Sequence, residues 1–318
     1  MRSPVDLTAK VHLMTAATFV MPLFNDRPRS LEHARAAIES VLAQSDPDWR
    51  LIIVDDCSPV PPEHSDGYLA EFAALAPGRI VGLRNDENRG QGVCRNIGIE
   101  LAHRHHSPIV LFLDADDLAH PRRLEVTREV FRTTDANFVY SGFSVIDESG
   151  NRFTTSELTP SIAEILEEIE HNRVEGRECW IPIATRTGYL TLTSTVAVRT
   201  ELAVGHPFPE ERGSEDFHAF LRMAAGGALL SYQADIPAQY RVDRTSGSSD
   251  RSRWGREEYY AAKLRGDSDG FDKACALALA RGTVTESEIT DLREQFRTRL
   301  AETIRGEGLG HLLENCWP

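Results

Sequence analysis

Asp114-Ala115-Asp116 closes a fully apolar run at 109–113. Two carboxylates two positions apart, in a loop leaving a buried strand, can share a hard divalent cation and leave its other positions to phosphate oxygens and water. The same residues also read as a solvated acidic turn, with Asp117 as the first charge of the next helix. The preceding Leu111-Phe112-Leu113 and the downstream Pro121 favour the metal. Asp55-Asp56 ends a second apolar run, LIIVDD (51–56). A carboxylate there accepts a hydrogen bond from a base N–H or a ribose hydroxyl, or caps a turn with Ser58. Glu215-Asp216 stands before an apolar helical stretch, either as a source of a general base or as charges favoured by the helix dipole. Asn88 to Gly92, followed by Arg95-Asn96, makes a loop opening a helix and suited to close passage over a nucleotide. It fails as a dinucleotide fingerprint, because no third glycine follows Gly90 and Gly92 at the required place. His105-His106 has no companion ligands and reads as a surface loop. Trp180, Trp254, Tyr259 and Tyr260 read as packing residues.

These groups need elements to hold them. Residues 17–25, ATFVMPLFN, read as a first strand and its exit loop. Ser30 caps a helix with Leu31, Ala34, Ile38, Val41 and Leu42 on one face. The run at 51–56 is continuous rather than alternating, as in a strand buried on both faces of a parallel sheet. Residues 79–83 repeat the theme weakly, 92–103 read as a helix, 109–113 as a strand, 122–132 as a helix and 138–146 as a strand. Strands alternating with helices imply right-handed crossovers, so both acidic strand ends converge on one side of the sheet. Beyond residue 152 the pattern loosens. An amphipathic helix carries Ile162, Ile165, Leu166 and Ile169; 190–198 and 228–234 read as strands and 217–225 as a helix. Thr285-Glu286-Ser287-Glu288 forms a capping box for a helix to about residue 304.

The bulk properties narrow the function. The chain has 318 residues, 41% apolar and 26% charged, enough for a buried core. A net charge of −14 repels nucleic-acid backbones, so no nucleic-acid partner is expected. An anionic donor meets the same field, and a divalent cation is the simplest local offset. No apolar run reaches the roughly 18 residues of a spanning helix, and MRSPVDLTAKVHLM lacks the apolar region of a signal peptide. Five scattered cysteines with no Cys-x-x-Cys pair fit free thiols in the cytoplasm.

In order, V-M-P-L-F-N, A-I-E-S-V-L-A-Q-S-D-P-D-W-R-L-I-I-V-D-D-C-S, N-R-G-Q-G-V-C-R-N-I-G-I, L-F-L-D-A-D-D-L-A-H-P-R-R-L and G-S-E-D-F-H-A-F-L-R-M resemble the marks of family 2 glycosyltransferases. The likeness is dense over 17–145 and looser over 190–245. It implies a GT-A fold: an α/β, mostly parallel sheet flanked by helices, with a C-terminal helical appendage. It also implies a catalytic domain over 1–251 (nucleotide-sugar half about 15–150, acceptor half about 151–251) and a helical region over 252–318. The implied activity is transfer of a sugar from a nucleotide-diphosphate sugar, UDP-sugar favoured, to a hydroxyl of a saccharide or small metabolite, with inversion. The implied roles place Pro22, Phe24, Asn25 and Asp56 around the base and Arg95 beside the ribose or diphosphate. Asp114 touches the ribose or metal, Asp116 binds Mn²⁺ or Mg²⁺, and Asp216, with Glu215 beside it, acts as base. A homodimer is compatible with this reading.

Three departures stand out. Phe24 replaces the usual tyrosine and Cys57 the usual glycine. Asp243, in Tyr240-Arg241-Val242-Asp243, stands where relatives often place a cationic contact to the diphosphate. The Gln-x-x-Arg-Trp mark of membrane-embedded processive synthases is absent, which points to one sugar per encounter. Two rival readings stay open. One is a non-catalytic nucleotide-sugar or carbohydrate binder on the same fold. The other is an Asp-x-Asp phosphatase, disfavoured because Leu118 and Ala119 follow where that class needs threonine or valine.

Overall fold

The computed structural model describes residues 16–27, 29–59, 62–244, 255–314 and 316. The stretch inspected for a signal peptide, and 252–254 with Trp254 at the head of the C-terminal region, lie outside the described residues. In chain order the main elements are β1 (Ala17–Leu23), α1 (Ser30–Leu42), β2 (Trp49–Asp55), α2 (Pro62–Leu75), β3 (Ile80–Arg84), α3 (Gln91–Arg104), β4 (Ile109–Phe112) and α4 (Arg123–Thr133). Then follow β5 (Phe138–Ile146), α5 (Pro160–His171), β6 (Ala197–Arg199), α6 (Thr200–Gly205), α7 (Glu215–Ala225), β7 (Leu230–Arg241), α8 (Arg256–Ala280) and α9 (Glu286–Gly306).

One sheet runs in the order β3-β2-β1-β4-β6-β5-β7. Only β6 runs against its two neighbours; every other pairing is parallel. From β1 the chain first builds outward to β2 and β3, then returns to lay β4 on the other side of β1. That reversal opens a crevice beyond the carboxyl ends of β1 and β4. Pro22 fits there. The O of Val20 accepts from the β4 side, at the Leu113 N–H, so Pro22, two residues on, turns its missing donor to the same side. Pairing with β4 stops at Val20, and no ladder bond is lost.

Strand residues alternate between two cores, as period-two geometry requires. Phe19, Met21, Leu51, Ile53 and Leu111 pack against Ala34, Ile38 and Val41 of α1 and Leu124 of α4. Val20, Val110, Phe112 and Phe138 face the other way, into a cluster with Phe217 and Phe220 of α7 and Tyr260, Phe271, Phe296 and Leu300 of α8 and α9. Phe271 and Phe296 stack at 4.3 Å, joining the two C-terminal helices, and Thr285 closes the expected capping box on α9. Among the described residues no helix is long and apolar enough to cross a membrane.

Gly98 sits where α3 crosses β1, and an added Cβ would overlap the Val20 side chain. Gly98→Ala should therefore lower stability by about 1–3 kcal/mol through overpacking, read as a lower urea midpoint at unchanged slope.

Two elements differ from the sequence expectation. Of 190–198 only the end belongs to β6; the rest is irregular, with a 3₁₀ turn at Thr193–Thr195. The threonines there satisfy hydroxyls and carbonyls locally. Thr191 and Thr195 hydroxyls share a bond of 2.7 Å, and Thr195 donates to the Leu192 carbonyl at 2.8 Å. Such bonds compete with a strand ladder. The strand expected at 228–234 instead runs through Leu230–Arg241. Pro237 is tolerated because β7 is an edge strand and its register shifts between Ser141 and Phe143.

Candidate active site

The ends of β1, β2 and β4 and the start of α7 border one cleft of 930 Å³, also walled by α8 and α9. Of the residues singled out in the sequence, Pro22, Phe24, Asp56, Arg95, Asp114, Asp116, Glu215 and Asp216 all line it. Asn25 does not; its backbone N–H donates to the Ser58 hydroxyl at 2.8 Å and ties the β1 exit loop to the β2 exit loop.

The two aspartates after β2 have separate tasks. Asp55 is fully buried and accepts from the Tyr68 hydroxyl at 2.8 Å, the Ser58 hydroxyl and the Arg84 guanidinium. It fastens the strand end. Asp56 faces the cleft but also closes the next loop. Its Oδ1 accepts from the Arg89 N–H and the Asn85 amide, both at 2.9 Å, and its Oδ2 from the Gly90 N–H at 2.7 Å. Gly90, at φ +90°, then turns the chain into α3.

Arg95, on the first turns of α3, is only 1% exposed. Its guanidinium bridges two carboxylates, Asp114 Oδ1 at 2.7 Å and Glu215 Oε1 at 2.8 Å. These charges hold its pKa above the ordinary guanidinium range despite burial. Arg95 is thus a strut between the β4 end and the α7 start, and it also lines the cleft. Glu215 is also buried and accepts from the Gln91 amide at 2.7 Å.

Asp216 has another environment. It is half-buried and lines the cleft. Burial foremost, and then the neighbouring Glu215 charge, push its carboxyl up to about 7. Asp114 and Asp116 line the same cleft, in the turn where the Asp117 N–H donates to the Asp114 carbonyl at 3.1 Å. Asp117 is buried, and burial together with the Asp116 and Asp114 charges lifts its carboxyl well above the usual range. Its Oδ1 accepts from the Arg241 N–H at 2.9 Å, and the Arg241 side chain donates to the Asp116 carbonyl at 2.8 Å. Among the described residues no three His, Cys, Asp or Glu side chains gather as a complete metal cage.

Cleft cations were missed in the sequence. Arg27, Arg29, Arg212, Arg241, Lys263 and Arg299 all line the cleft of this acidic chain. Arg241 follows Tyr240 on β7, in a segment read only for its Asp243. Asp243 also lines the cleft. Trp180 and Tyr260 are buried in the core; Tyr260 also borders the cleft, as does the part-exposed Tyr259.

Known proteins resemble this chain in sequence and in fold. An uncharacterized glycosyltransferase of Nostoc sp., alr2836, is 32% identical over 144 residues, 45% of this chain and 42% of the relative. The chain therefore spans less than half the length of that curated relative. An Escherichia coli protein, the UDP-Glc:alpha-D-GlcNAc-diphosphoundecaprenol beta-1,3-glucosyltransferase WfgD, is 27% identical, over 74% of this chain and 80% of its own. Among solved structures, S. aureus TarS in complex with UDP-GlcNAc superposes with a TM-score of 0.63 at 16% identity, covering 91% of this chain and 73% of that one. Mannosyltransferase PcManGT from Pyrobaculum calidifontis, with GDP-Man and Mn²⁺, superposes at 0.53 and 15% identity, over 94% and 85%. These likenesses show the GT-A fold. The family model for glycosyl transferase family 2 matches residues 18–194, more than half the chain, and the protein belongs to that family.

Proposed function

We propose that the chain transfers a sugar, with inversion, from a nucleotide-diphosphate sugar to an acceptor hydroxyl, and that Asp216 is the general base. One observation carries this reading: a carboxylate pushed up to about 7 lines the same cleft as Asp114 and Asp116. A base needs a pKa near the working pH to be both deprotonated and strong enough to take a proton. The UDP-Glc-dependent relative and the TarS complex with UDP-GlcNAc favour UDP as the nucleotide.

The donor set suits a divalent cation. Asp114 and Asp116 offer hard oxygens on the cleft wall, and two carboxylates leave coordination positions for phosphate and water. The pKa of Asp117 is raised by burial first and then by the Asp116 and Asp114 charges, and a cation there would offset that second contribution. Held by these two residues, Mn²⁺ or Mg²⁺ would supply Lewis-acid stabilisation to the departing diphosphate. Arg241, anchored on the Asp116 carbonyl, adds a fixed positive charge beside the same loop.

The protein's own groups do the rest. Pro22 and Phe24 form the apolar floor for the base, and Asp56 presents the edge of its loop. Arg95 holds Asp114 and Glu215 at fixed separation, which keeps the donor lip and the base lip in register. Asp216 takes the acceptor proton as the acceptor oxygen attacks the anomeric carbon and the diphosphate leaves.

Release of nucleoside diphosphate from a panel of nucleotide sugars, with and without Mn²⁺, tests the function. A pure binder would shift the melting temperature with donor yet release none. The pH dependence tests the base. Protonated Asp216 cannot accept a proton, so kcat/KM should fall about tenfold per unit below pH ~7 and level off above it. A flat profile from pH 5 to 8 would remove Asp216 from the role.

A further inference from the structure

The two C-terminal helices bring cations to the cleft that the donor chemistry does not use. Lys263 of α8 and Arg299 of α9 both line it. They flank Phe217, the residue after Asp216, with Nζ 5.6 Å and the guanidinium carbon 6.0 Å from its ring centroid. Lys263 Nζ also lies 3.2 Å from the Ser214 hydroxyl, at the start of α7. Both cations therefore stand on the Asp216 side of the cleft.

Their partners leave capacity over. Arg299 is 9% exposed, and its Nε donates to the Ala184 carbonyl at 2.8 Å. Its Nη2 has no hydrogen-bond partner among the described residues. The carboxylate paired with both is Asp267, fully buried, at 2.9 Å from Lys263 and 4.0 Å from Arg299. Lys263 also feels the Asp216 charge, whereas Arg299 reaches Asp267 only at the limit of ion-pair distance. A buried donor on a charged group is costly to leave unmade, and a positive excess in a low-dielectric wall attracts an anion strongly. The backbone is also shaped around this guanidinium. Gly188 sits at φ +72°, and a Cβ there would overlap the Arg299 head group.

We propose that Lys263 and Arg299 form an anion subsite for the acceptor, so that the acceptor carries a phosphate or carboxylate near the hydroxyl it offers to Asp216. This rests on the reading of Asp216 as base. Arg299 supplies the planar donor edge suited to an oxyanion, Lys263 a second positive charge, and Asp267 sets the balance between them.

Calorimetry on the full chain, saturated with UDP and Mn²⁺ to fill the donor half, tests the subsite with three probes: glycerol 3-phosphate, glucuronate and glycerol. At least one anion should bind and glycerol should not; the tighter anion identifies the oxyanion class. Arg299→Gln and Lys263→Met should each weaken that binding by about tenfold or more, with UDP affinity unchanged. Asp267→Asn should tighten it several-fold, since it frees both cations, a gain that misfolding cannot produce. Absence of anion binding, binding indifferent to Arg299 and Lys263, or no gain in Asp267→Asn would each overturn the subsite. Failure of UDP to bind would count instead against the donor reading, and the anion titrations would then be read without it.

Discussion

Asp116→Asn should abolish metal-supported transfer, lowering kcat by about 10²–10³ or more, and should remove the gain in UDP affinity that Mn²⁺ gives the wild type. The amide keeps the size of the side chain but not the charge that holds a hard cation. The scaffold should survive the change. The Asp116 contact described for the turn is made by its backbone carbonyl, with Arg241, and the Asp117 N–H closes the turn on Asp114. The carboxylate that anchors the β7 end is Asp117, through the Arg241 N–H. Thermal melts should therefore match the wild type without ligand and diverge only with UDP and Mn²⁺ present. Calorimetry that found the same UDP affinity with Mn²⁺ in both proteins would end the metal assignment.

The convergence of the acidic strand ends was readable because parallel topology leaves little freedom. Continuous apolar runs at 51–56 and 109–113 mark strands covered on both faces, and their exits then share one edge of the sheet. What each carboxylate does there was not readable. Asp55 and Asp56 are chemically identical neighbours, yet one fixes Tyr68 and Arg84 and the other the loop at Arg89 and Gly90, 33 and 34 residues on. The bridging task of Arg95 was not readable either, because its partners Asp114 and Glu215 lie 19 and 120 residues away. Lys263 and Arg299 were hidden for another reason. In a long charged helix a basic residue reads as solvated surface, and only packing of α8 and α9 against α7 turns these two inward. The region 190–196 misled because Thr and Val favour strands in isolation, whereas here the hydroxyls close local bonds that no propensity scale records.

Asp216→Asn should lower kcat by about 10²–10⁴, the usual worth of a positioned base, while UDP affinity with Mn²⁺ stays near wild type. The adjacent Glu215 is the control, since the two carboxylates point about 100° apart at the head of α7. Glu215 is held by Arg95 and Gln91 in a buried cluster at the cleft wall; Asp216 is the more exposed of the two. Their stability effects should therefore run opposite to their kinetic ones. Burial already penalises the Asp216 charge, as its raised pKa shows, so a neutral amide should leave the melting temperature unchanged or slightly higher. Glu215→Gln instead takes one of two anions from the buried Arg95. It should cost about 1–3 kcal/mol, with a smaller loss of kcat that follows the loosened strut. Purified variants, compared by thermal melt and by turnover on the acceptor, separate the roles. If Glu215→Gln lost turnover as deeply as Asp216→Asn while melting like the wild type, the base would be Glu215, and Asp216 only its neighbour.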